Sequence, residues 1–387
     1  MRVPLLDLKA QYETIRHEIL SSISEVFETQ SFILGPQVAA LEEEMARLCE
    51  VPHAVGVASG TDSLLLSLKA LDIGAGDSVL TTPFTFFATA GAIANLGARP
   101  LFVDIDESSF NMDPNALRKA LEEDCAADSS GKLCHKASAT TVKAVLPVHL
   151  FGQCADMVQI LLAAKEFGLP VVEDSCQSIR ARYAGKPAGS MGELGCFSFF
   201  PSKNLSGAGD GGMVVSRSGE LAGRVRLLRT HGAEPRYVHK IVGFNSRLDE
   251  IQAAVVRIKL RHLENWTRAR QLAAQKYMSE FKGSGLLDKV RLPAILPDRD
   301  HVFHQFVVRC HQRDKLLVFL RERNIDTEIY YPIPLHEQEC FRHLGCPPSA
   351  FPRAHAAARE VLALPIYPEL TGDQIRYVVS SIADFYN

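Results

Sequence analysis

The stretch that decides the fold is SFFPSKNL at residues 198–205, followed by the glycine-rich run GAGDGG at residues 207–212. A strand predicted at residues 196–200 delivers one lysine, Lys203, beside a proline and ahead of backbone that bends freely. An amine against aromatic walls is partly desolvated, which lowers its pKa, and only the free amine condenses with an aldehyde. Lys203 is therefore a candidate nucleophile, and the alternative is a surface lysine beside a turn.

The composition indicates a globular protein that binds a small molecule. The chain has 387 residues, 47% of them apolar, and a net charge of −3. This length suits two domains, or one large domain with an appendage. Lys and Arg are dispersed rather than gathered in a basic tract, so we expect no nucleic-acid partner.

The cysteines indicate a reducing compartment. All nine are irregularly spaced and none forms a C-x-x-C pair, which argues against a disulfide framework and a metal site. The N-terminal segment meets charged residues too early for a signal peptide, and no apolar run reaches membrane-spanning length. We therefore expect a cytoplasmic protein with no metal and no membrane contact.

Short apolar runs alternate with helical patterns between residues 53 and 215. This alternation predicts an α/β fold with a mainly parallel central sheet covered by helices. In such a fold, ligands gather at the carboxyl ends of the strands. The polar segment 122–141 has no period and is expected to be a surface excursion without a catalytic part.

A long helical pattern begins at Arg247 and continues toward Phe281. The pattern of a strand follows at residues 302–309, and then the pattern of further helices. We predict a large domain at residues 1–250 and a smaller C-terminal α/β domain at residues 251–387.

The segment ASGTDS at residues 58–63 follows an apolar strand and opens a helix. Unpaired N–H groups and the helix dipole favour an anion there, with Gly60 allowing close approach and Thr61 supplying a hydroxyl. The ligand indicated is a phosphate group. The alternative is an ordinary helix N-cap.

The run VVED at residues 171–174 ends a predicted buried strand in two carboxylates, and Gln177 follows. At a strand's carboxyl end, Asp174 could hold a protonated ring nitrogen, which pyridoxal phosphate requires to act as an electron sink. Gln177 could then bond the ring oxygen, and the alternative is that Asp174 caps a helix. One ring of the aromatic residues 84–87 could stack on such a cofactor, although an aromatic cluster more often belongs to a core.

These signals occur in the order seen in the DegT/DnrJ/EryC1/StrS sugar aminotransferases, and the chain resembles that family along nearly its whole length. Further matching motifs are LGP at 34–36, PVHLFGQ at 147–153, NSRLD at 245–249, His336 and LP at 364–365. The resemblance implies a pyridoxal-phosphate enzyme of fold type I, the aspartate-aminotransferase-like fold, that aminates nucleotide-linked keto sugars.

The resemblance also implies roles for individual residues. Lys203 would bind the cofactor covalently and move protons between cofactor and substrate. Asp174 would pair with the ring nitrogen, Gln177 with the ring hydroxyl, and Phe86 would lie over the ring.

Other residues are implied at the phosphate and at the substrate. The phosphate would be held by Gly60, Thr61 and Ser198, and by Asn245 from the other subunit of a homodimer with shared active sites. The sugar-nucleotide side would involve Arg247, Tyr331 and His336.

Two positions depart from the family pattern. Relatives usually have glycine where this chain has Arg180 and Ser206. Arg180 could add a cation near the substrate or point outward, as solvated arginines commonly do.

The predicted reaction is a transamination in two half-reactions. An amino acid, expected to be L-glutamate, converts the cofactor to pyridoxamine phosphate, which then aminates a nucleotide-linked keto sugar for polysaccharide or glycoside biosynthesis. The motifs most resemble those of enzymes that aminate 3-keto sugars. Two alternatives are a sugar dehydratase, in which histidine replaces the lysine, and a non-catalytic, cofactor-bound regulatory sensor.

Overall fold

The computed structural model describes all 387 residues. The α-helices are α1 (Leu8–Thr29), α2 (Pro36–Leu48), α3 (Gly60–Ala70), α4 (Ala88–Asn95), α5 (Pro114–Glu123), α6 (Met157–Glu166), α7 (Gly219–Leu228), α8 (Glu250–Ser284), α9 (Arg313–Glu322), α10 (Pro352–Glu360) and α11 (Gly372–Tyr386). The strands are β1 (His53–Val57), β2 (Asp77–Thr81), β3 (Arg99–Phe102), β4 (Cys125–Ala127), β5 (Leu133–His135), β6 (Thr140–Val145), β7 (Val172–Asp174), β8 (Arg182–Tyr183), β9 (Lys186–Pro187), β10 (Leu194–Ser198), β11 (Gly212–Ser216), β12 (Val290–Arg291), β13 (Phe306–Cys310) and β14 (Val361–Leu364). Short 3₁₀-helices cover Leu150–Gly152, Leu335–Glu337, Glu339–Leu344 and Pro348–Ala350.

The central sheet has the strand order β3-β2-β6-β7-β10-β11-β1. Pairing is parallel from β3 to β10, with isolated bridges joining β6 to the start and end of β7. Only β11 runs the other way, antiparallel to both β10 and β1. The prediction of a mainly parallel sheet is confirmed, and β11 is reversed because no crossover helix connects it to β10.

Alternate residues of the central strands pack on opposite faces of the sheet, as the pleat requires. Cys196 joins the core formed with α3, α4 and α7. Its neighbour Phe197 joins the core formed with α2 and α8 on the other face. Both faces are therefore buried, which explains why the strands lack an alternating polar pattern.

The segment at residues 122–141, expected to be a surface excursion, contains two short strands. Strands β4 and β5 form a hairpin there, and β5 pairs antiparallel with Thr140 and Thr141 at the start of β6. Strands of three residues are too short to show a period in the sequence.

The C-terminal part contains a second sheet, β12-β13-β14, which is antiparallel throughout. Its core combines α8, α9 and α11 with the N-terminal residue Val3, which bridges to Ile325. The strand predicted at residues 302–309 begins only at Phe306. The proposed division at residue 250 coincides with the start of α8 and stays a prediction. No helix combines the length and hydropathy needed to cross a membrane.

Candidate active site

A cavity of about 430 Å³ opens where the central strands end. It lies at the carboxyl ends of β1, β7 and β10, because the loops that follow these strands meet at one edge of the sheet. Most of the residues predicted from the sequence line it, namely Gly60, Thr61, Phe86, Asp174, Gln177, Ser198, Lys203 and Tyr331.

One end of the cavity is formed by the N-terminus of α3. Ser59 caps this helix, its Oγ accepting a hydrogen bond from the N–H of Asp62 at 3.0 Å. A Cβ on Gly60 would lie 2.5 Å from the Cβ of Ser198, so only glycine lets helix and strand approach this closely. Both sequence interpretations therefore apply here, because the capped helix also presents its N-terminal N–H groups and dipole to the cavity.

The two adjacent carboxylates of β7 have different surroundings. Asp174 lines the cavity, where its Oδ2 accepts a hydrogen bond from the Thr89 hydroxyl at 2.8 Å and its Oδ1 accepts one from the Cys176 N–H at 3.2 Å. No cation pairs with Asp174 inside the chain. This carboxylate is therefore held in place with capacity left for a positively charged ligand group.

Glu173 points away from the cavity and is fully buried. Its two oxygens accept hydrogen bonds from the backbone N–H groups of Gly189, Met191 and Gly192. The ring of His149 also bonds it at 2.8 Å, and Ala155 N–H donates to the other ring nitrogen, so Nε2 carries the proton. Glu173 therefore holds the loop at residues 189–192 in place.

Gln177 is fixed by two hydrogen bonds. Its Oε1 accepts from the Phe151 N–H at 2.8 Å, and its Nε2 donates to the Tyr331 hydroxyl at 3.0 Å. Phe86 is 55% exposed, and its ring lies 6.2 Å from that of Tyr331, centroid to centroid. An exposed aromatic face at a cavity wall suits stacking on a flat ligand.

Lys203 lies in the cavity wall after β10, and the Lys203 N–H is bonded to the Phe200 carbonyl at 2.8 Å. Burial lowers the pKa of the Lys203 amine, while the neighbouring Cys176 and Asp174 oppose that shift. Cys176 also lines the cavity, and burial raises the pKa of its thiol. A neutral amine next to a carboxylate is equipped to attack a carbonyl.

Three predicted residues do not line this cavity. Asn245 is exposed, and its Oδ1 accepts a hydrogen bond from Arg247 at 2.7 Å. His336 is buried against the ring of Phe351, 4.8 Å between centroids. Aromatic packing holds its ring outside this cavity, and a role for His336 on the substrate side stays a prediction.

The two departures from the family pattern lie outside the cavity. Arg180 has a φ of +67°, a conformation that favours glycine, and its guanidinium lies 3.7 Å from Glu264 on α8. Ser206 is buried, and its hydroxyl accepts a hydrogen bond from Lys259 at 2.8 Å. Arg180 therefore points outward, which decides between the two alternatives for it.

Sequence reasoning missed Thr89 and His304. Thr89 stands one helical turn after Thr85, whose hydroxyl is 3.2 Å away, and this spacing was the available signal. His304 lines the cavity from the C-terminal part of the chain. Nothing in the local sequence connects it with Lys203.

A model of the DegT/DnrJ/EryC1/StrS aminotransferase family matches residues 13–383. The chain belongs to this family. Among curated relatives, a "Pleiotropic regulatory protein" of Geobacillus stearothermophilus is 44% identical over 386 residues, covering 100% of this chain and 99% of the relative.

Two further relatives of the family are named as enzymes. A UDP-N-acetyl-3-dehydro-α-D-glucosamine 3-aminotransferase of Acidithiobacillus ferrooxidans is 42% identical, over 98% of this chain and 97% of the relative. A dTDP-3-amino-3,4,6-trideoxy-α-D-glucose transaminase of Streptomyces venezuelae is 41% identical, over 99% of this chain and 96% of the relative.

The fold agrees with that of a solved member of the DegT/DnrJ/EryC1/StrS family. The crystal structure of DesV from S. venezuelae, in complex with a ketimine intermediate, superposes with a TM-score of 0.92 at 41% identity, covering 99% of this chain and 98% of DesV. The chain is thus an aminotransferase with fold type I architecture.

The residues of the cavity fit pyridoxal phosphate, the cofactor of this enzyme. The N-terminus of α3 offers N–H groups to a phosphate. Asp174 offers an unpaired carboxylate to a protonated ring nitrogen, and Lys203 offers an amine of lowered pKa to an aldehyde. Each chemical group of the cofactor has a suitable residue in one cavity.

Proposed function

We propose that this aminotransferase moves nitrogen from L-glutamate to C3 of a nucleotide-linked keto sugar, working in the cytoplasm as a homodimer. The observation that carries the proposal is the single cavity shared by Lys203, Asp174 and the N-terminus of α3. The reduced state of all nine cysteines supports the location.

Lys203 is the residue to which we assign covalent attachment and proton transfer. Bound pyridoxal phosphate supplies an electron sink next to the substrate carbon. In each half-reaction the Lys203 Nζ would move one proton between the substrate carbon and the cofactor carbon: from L-glutamate to the cofactor in the first, and from the cofactor to the sugar in the second. Its lowered pKa supports this role, because a neutral amine is needed to accept the proton.

Asp174 and Gln177 are assigned to orient the ring. The Asp174 carboxylate stabilises a proton on the ring nitrogen, and the hydrogen bond from Thr89 holds Oδ2 in position. The Gln177 amide, held by Phe151 and Tyr331, faces the ring oxygen. Phe86 supplies the stacking face, and Gly60, Thr61 and Ser198 hold the phosphate.

The choice of C3 and of a nucleotide sugar rests on the relatives. Two of them at more than 40% identity are named for amination at position 3, one on a UDP-linked and one on a dTDP-linked sugar. The nucleotide of this chain's own substrate is decided by the test below.

The proposal of a homodimer is supported by residues that do not line the cavity of their own chain. Asn245 is exposed and lies outside the cavity. The preceding loop exposes Tyr237, Val238, Ile241 and Val242, a patch that suits contact with another protein surface. We assign Asn245 to the phosphate of the partner's site, and Arg247 beside it to the substrate.

The test is the absorbance of the purified protein with pyridoxal phosphate. L-Glutamate should bleach the band of the lysine-bound cofactor, and a UDP- or dTDP-linked 3-keto sugar should restore it. Lys203→Ala should abolish the band, whereas Lys186→Ala, a control at an exposed lysine, should retain it. Unchanged cofactor chemistry in Lys203→Ala would overturn the proposal.

A regulatory role is the second candidate, because the relative with 44% identity is named as a pleiotropic regulatory protein. A non-catalytic sensor would bind the cofactor but would show no turnover with L-glutamate. The dehydratase alternative is disfavoured by Lys203 itself, since such relatives carry histidine at that position. Loss of water from a keto sugar, with no nitrogen transferred to it, would identify a dehydratase.

A further inference from the structure

His304 is a buried histidine in the wall of the Lys203 cavity to which the proposed function gives no task. It precedes β13, so it reaches the cavity from the C-terminal part of the chain. Arg270 on α8 donates hydrogen bonds to the carbonyls of His304 at 3.4 Å and Ile366 at 2.9 Å, which fixes the backbone here.

Asn204 sets the tautomer of His304. The Asn204 Nδ2 donates to the Val302 carbonyl at 3.2 Å, so Asn204 must turn its Oδ1 toward the histidine. His304 Nδ1 lies 3.2 Å from that oxygen. Because Oδ1 only accepts, Nδ1 carries the ring proton and Nε2 is left as a bare acceptor.

The ring stays neutral. Burial is the main cause that lowers the pKa of His304 well below its usual value, and the side chains of Lys203 and Arg270 add to it. The other titratable side chains that line the same cavity or the adjoining pocket are Asp174, Cys176, Asp210, Tyr330 and Tyr331, and none of them raises the pKa of His304. No neighbouring group therefore favours an imidazolium at the pH where the enzyme works.

Nε2 is available to a ligand. It makes no hydrogen bond within the chain, and it is not sealed from water as the unpartnered nitrogens of His336 are. His304 lines both the Lys203 cavity and a small adjoining pocket with Ser202 and Tyr330, so its accessible edge opens on these two adjoining spaces.

We propose that His304 is a specificity-determining residue, whose Nε2 accepts a hydrogen bond from a hydroxyl of the keto sugar. The inference rests on the proposed function. A sugar carries several hydroxyl donors, whereas the one donor group of L-glutamate is the amino nitrogen that is transferred to the cofactor, and its two carboxylates only accept hydrogen bonds. His304 therefore assists the sugar half-reaction and leaves the glutamate half-reaction unaffected.

The two half-reactions can be measured separately by cofactor absorbance. The probes are L-glutamate and, in the reverse direction, UDP- and dTDP-linked 3-amino-3-deoxy sugars, each mixed with the pyridoxal-phosphate form. In His304→Phe, kcat/KM for the amino sugar should fall about tenfold, mainly through KM, because one hydrogen bond is lost. The glutamate half-reaction should change by less than about twofold.

Two further variants test the acceptor itself. His304→Gln, whose amide oxygen can accept, should recover part of the loss for the amino sugar. His301→Asn is the control: this buried histidine lies outside the Lys203 cavity and accepts from the Phe303 N–H at 3.0 Å. It should leave both half-reactions close to wild type.

Asn204→Asp tests the inference even if His304→Phe does not fold. A carboxylate beside Nδ1–H stabilises the imidazolium, so Nε2 becomes a donor as the pH falls. The sugar half-reaction of this variant should be lost at low pH and rise with pH, while that of wild type stays flat over the same range. The glutamate half-reaction should show no such inflection.

The outcomes separate the two claims. If wild type turns over but His304→Phe leaves the sugar half-reaction unchanged, or slows both half-reactions equally, the inference is overturned and the proposed function stands. If neither L-glutamate nor either amino sugar changes the wild-type band, the proposed function fails, and the inference with it.

Discussion

Glu173 and Asp174 are adjacent in β7 but have different roles: Glu173 supports the fold, and Asp174 faces the cavity. Their side chains point to opposite sides of the sheet. Glu173 accepts hydrogen bonds from three backbone N–H groups, while Asp174 reaches the cavity. Sequence reasoning named Asp174, rather than Glu173, for the ligand. The register with β10 gives the side of the sheet that each carboxylate takes, since Asp174 pairs with Cys196.

Thr89 supports Asp174, and we expect Thr89→Val to weaken cofactor binding. Removing the 2.8 Å hydrogen bond leaves Oδ2 of a buried carboxylate without that donor. The dissociation constant of pyridoxal phosphate should rise about tenfold, the effect of one buried hydrogen bond to a charge. It can be measured by titrating the apoprotein and following absorbance.

The matched control for Thr89→Val is Thr267→Val. Thr267 is also buried, but its hydroxyl bonds only the Leu263 carbonyl of its own helix. Equal cofactor affinity in the two variants would contradict the role given to Thr89.

The lowered pKa of Lys203 leads us to expect that the rate of cofactor uptake depends on pH. Its pKa lies below the ordinary value of 10.5 because of burial. The neutral amine therefore persists at lower pH than in an exposed lysine, and uptake should slow only when the pH falls through the lowered pKa. Stopped-flow absorbance of apoprotein between about pH 6 and pH 11 checks this. A rate that still climbs steeply up to 10.5 would contradict it.

At the scale of elements, α2 begins without a capping side chain of its own, because its N-cap is Gly35. The carboxylate of Glu250, at the start of α8, takes this role. Its Oε2 accepts from the N–H groups of Gly35 at 3.0 Å and Val38 at 3.1 Å, and its Oε1 accepts from Gln37. A Cβ on Gly35 would lie 2.7 Å from Glu250 Oε1, which explains the glycine in the LGP motif.

Glu250→Gln should therefore destabilise the protein. The amide keeps the size of the side chain but loses the charge that favours a helix N-terminus, at a cost of about 2 kcal/mol. Urea denaturation measures the free energy of unfolding. Glu264→Gln, a carboxylate 76% exposed, is the control and should cost under about 0.5 kcal/mol. Similar losses in both variants would refute the capping role.

The sequence predicted helices better than strands and contacts. The segment at residues 58–63 was predicted to open a helix, and α3 begins there at Gly60, because its cap and apolar period are both local signals. The direction of β11 was not predictable, since an apolar run carries no sign of its orientation. Contacts distant in sequence, such as those of His304 or of Glu250 with α2, depend on tertiary packing.

At the scale of the whole molecule, the exposed loop that precedes Asn245 is a proposed dimer contact, and we expect Val242→Asp in this loop to weaken the dimer. Val242 is 90% exposed in the single chain and adjoins Ile241. A charge placed in a dimer interface would be desolvated without a partner, so the dimer should dissociate at concentrations at least about tenfold higher. Sedimentation velocity over a dilution series measures this.

The control for Val242→Asp is Val318→Asp on α9, an isolated exposed valine. It should leave the sedimentation profile unchanged. A wild-type protein that sediments as a monomer, or two variants that dimerise equally, would remove the support for a shared active site.

Helix α8 also bears on how a bulky substrate arrives and leaves. Its 35 residues span about 52 Å and contain no proline. It packs on α1 and α2 near one end and on α11 near the other. An unbroken helix that packs in both parts of the chain resists their separation, so we expect little hinge opening of the cavity. The exposed rings of Phe86 and Phe200 line the cavity, and we expect a bulky substrate to enter past them.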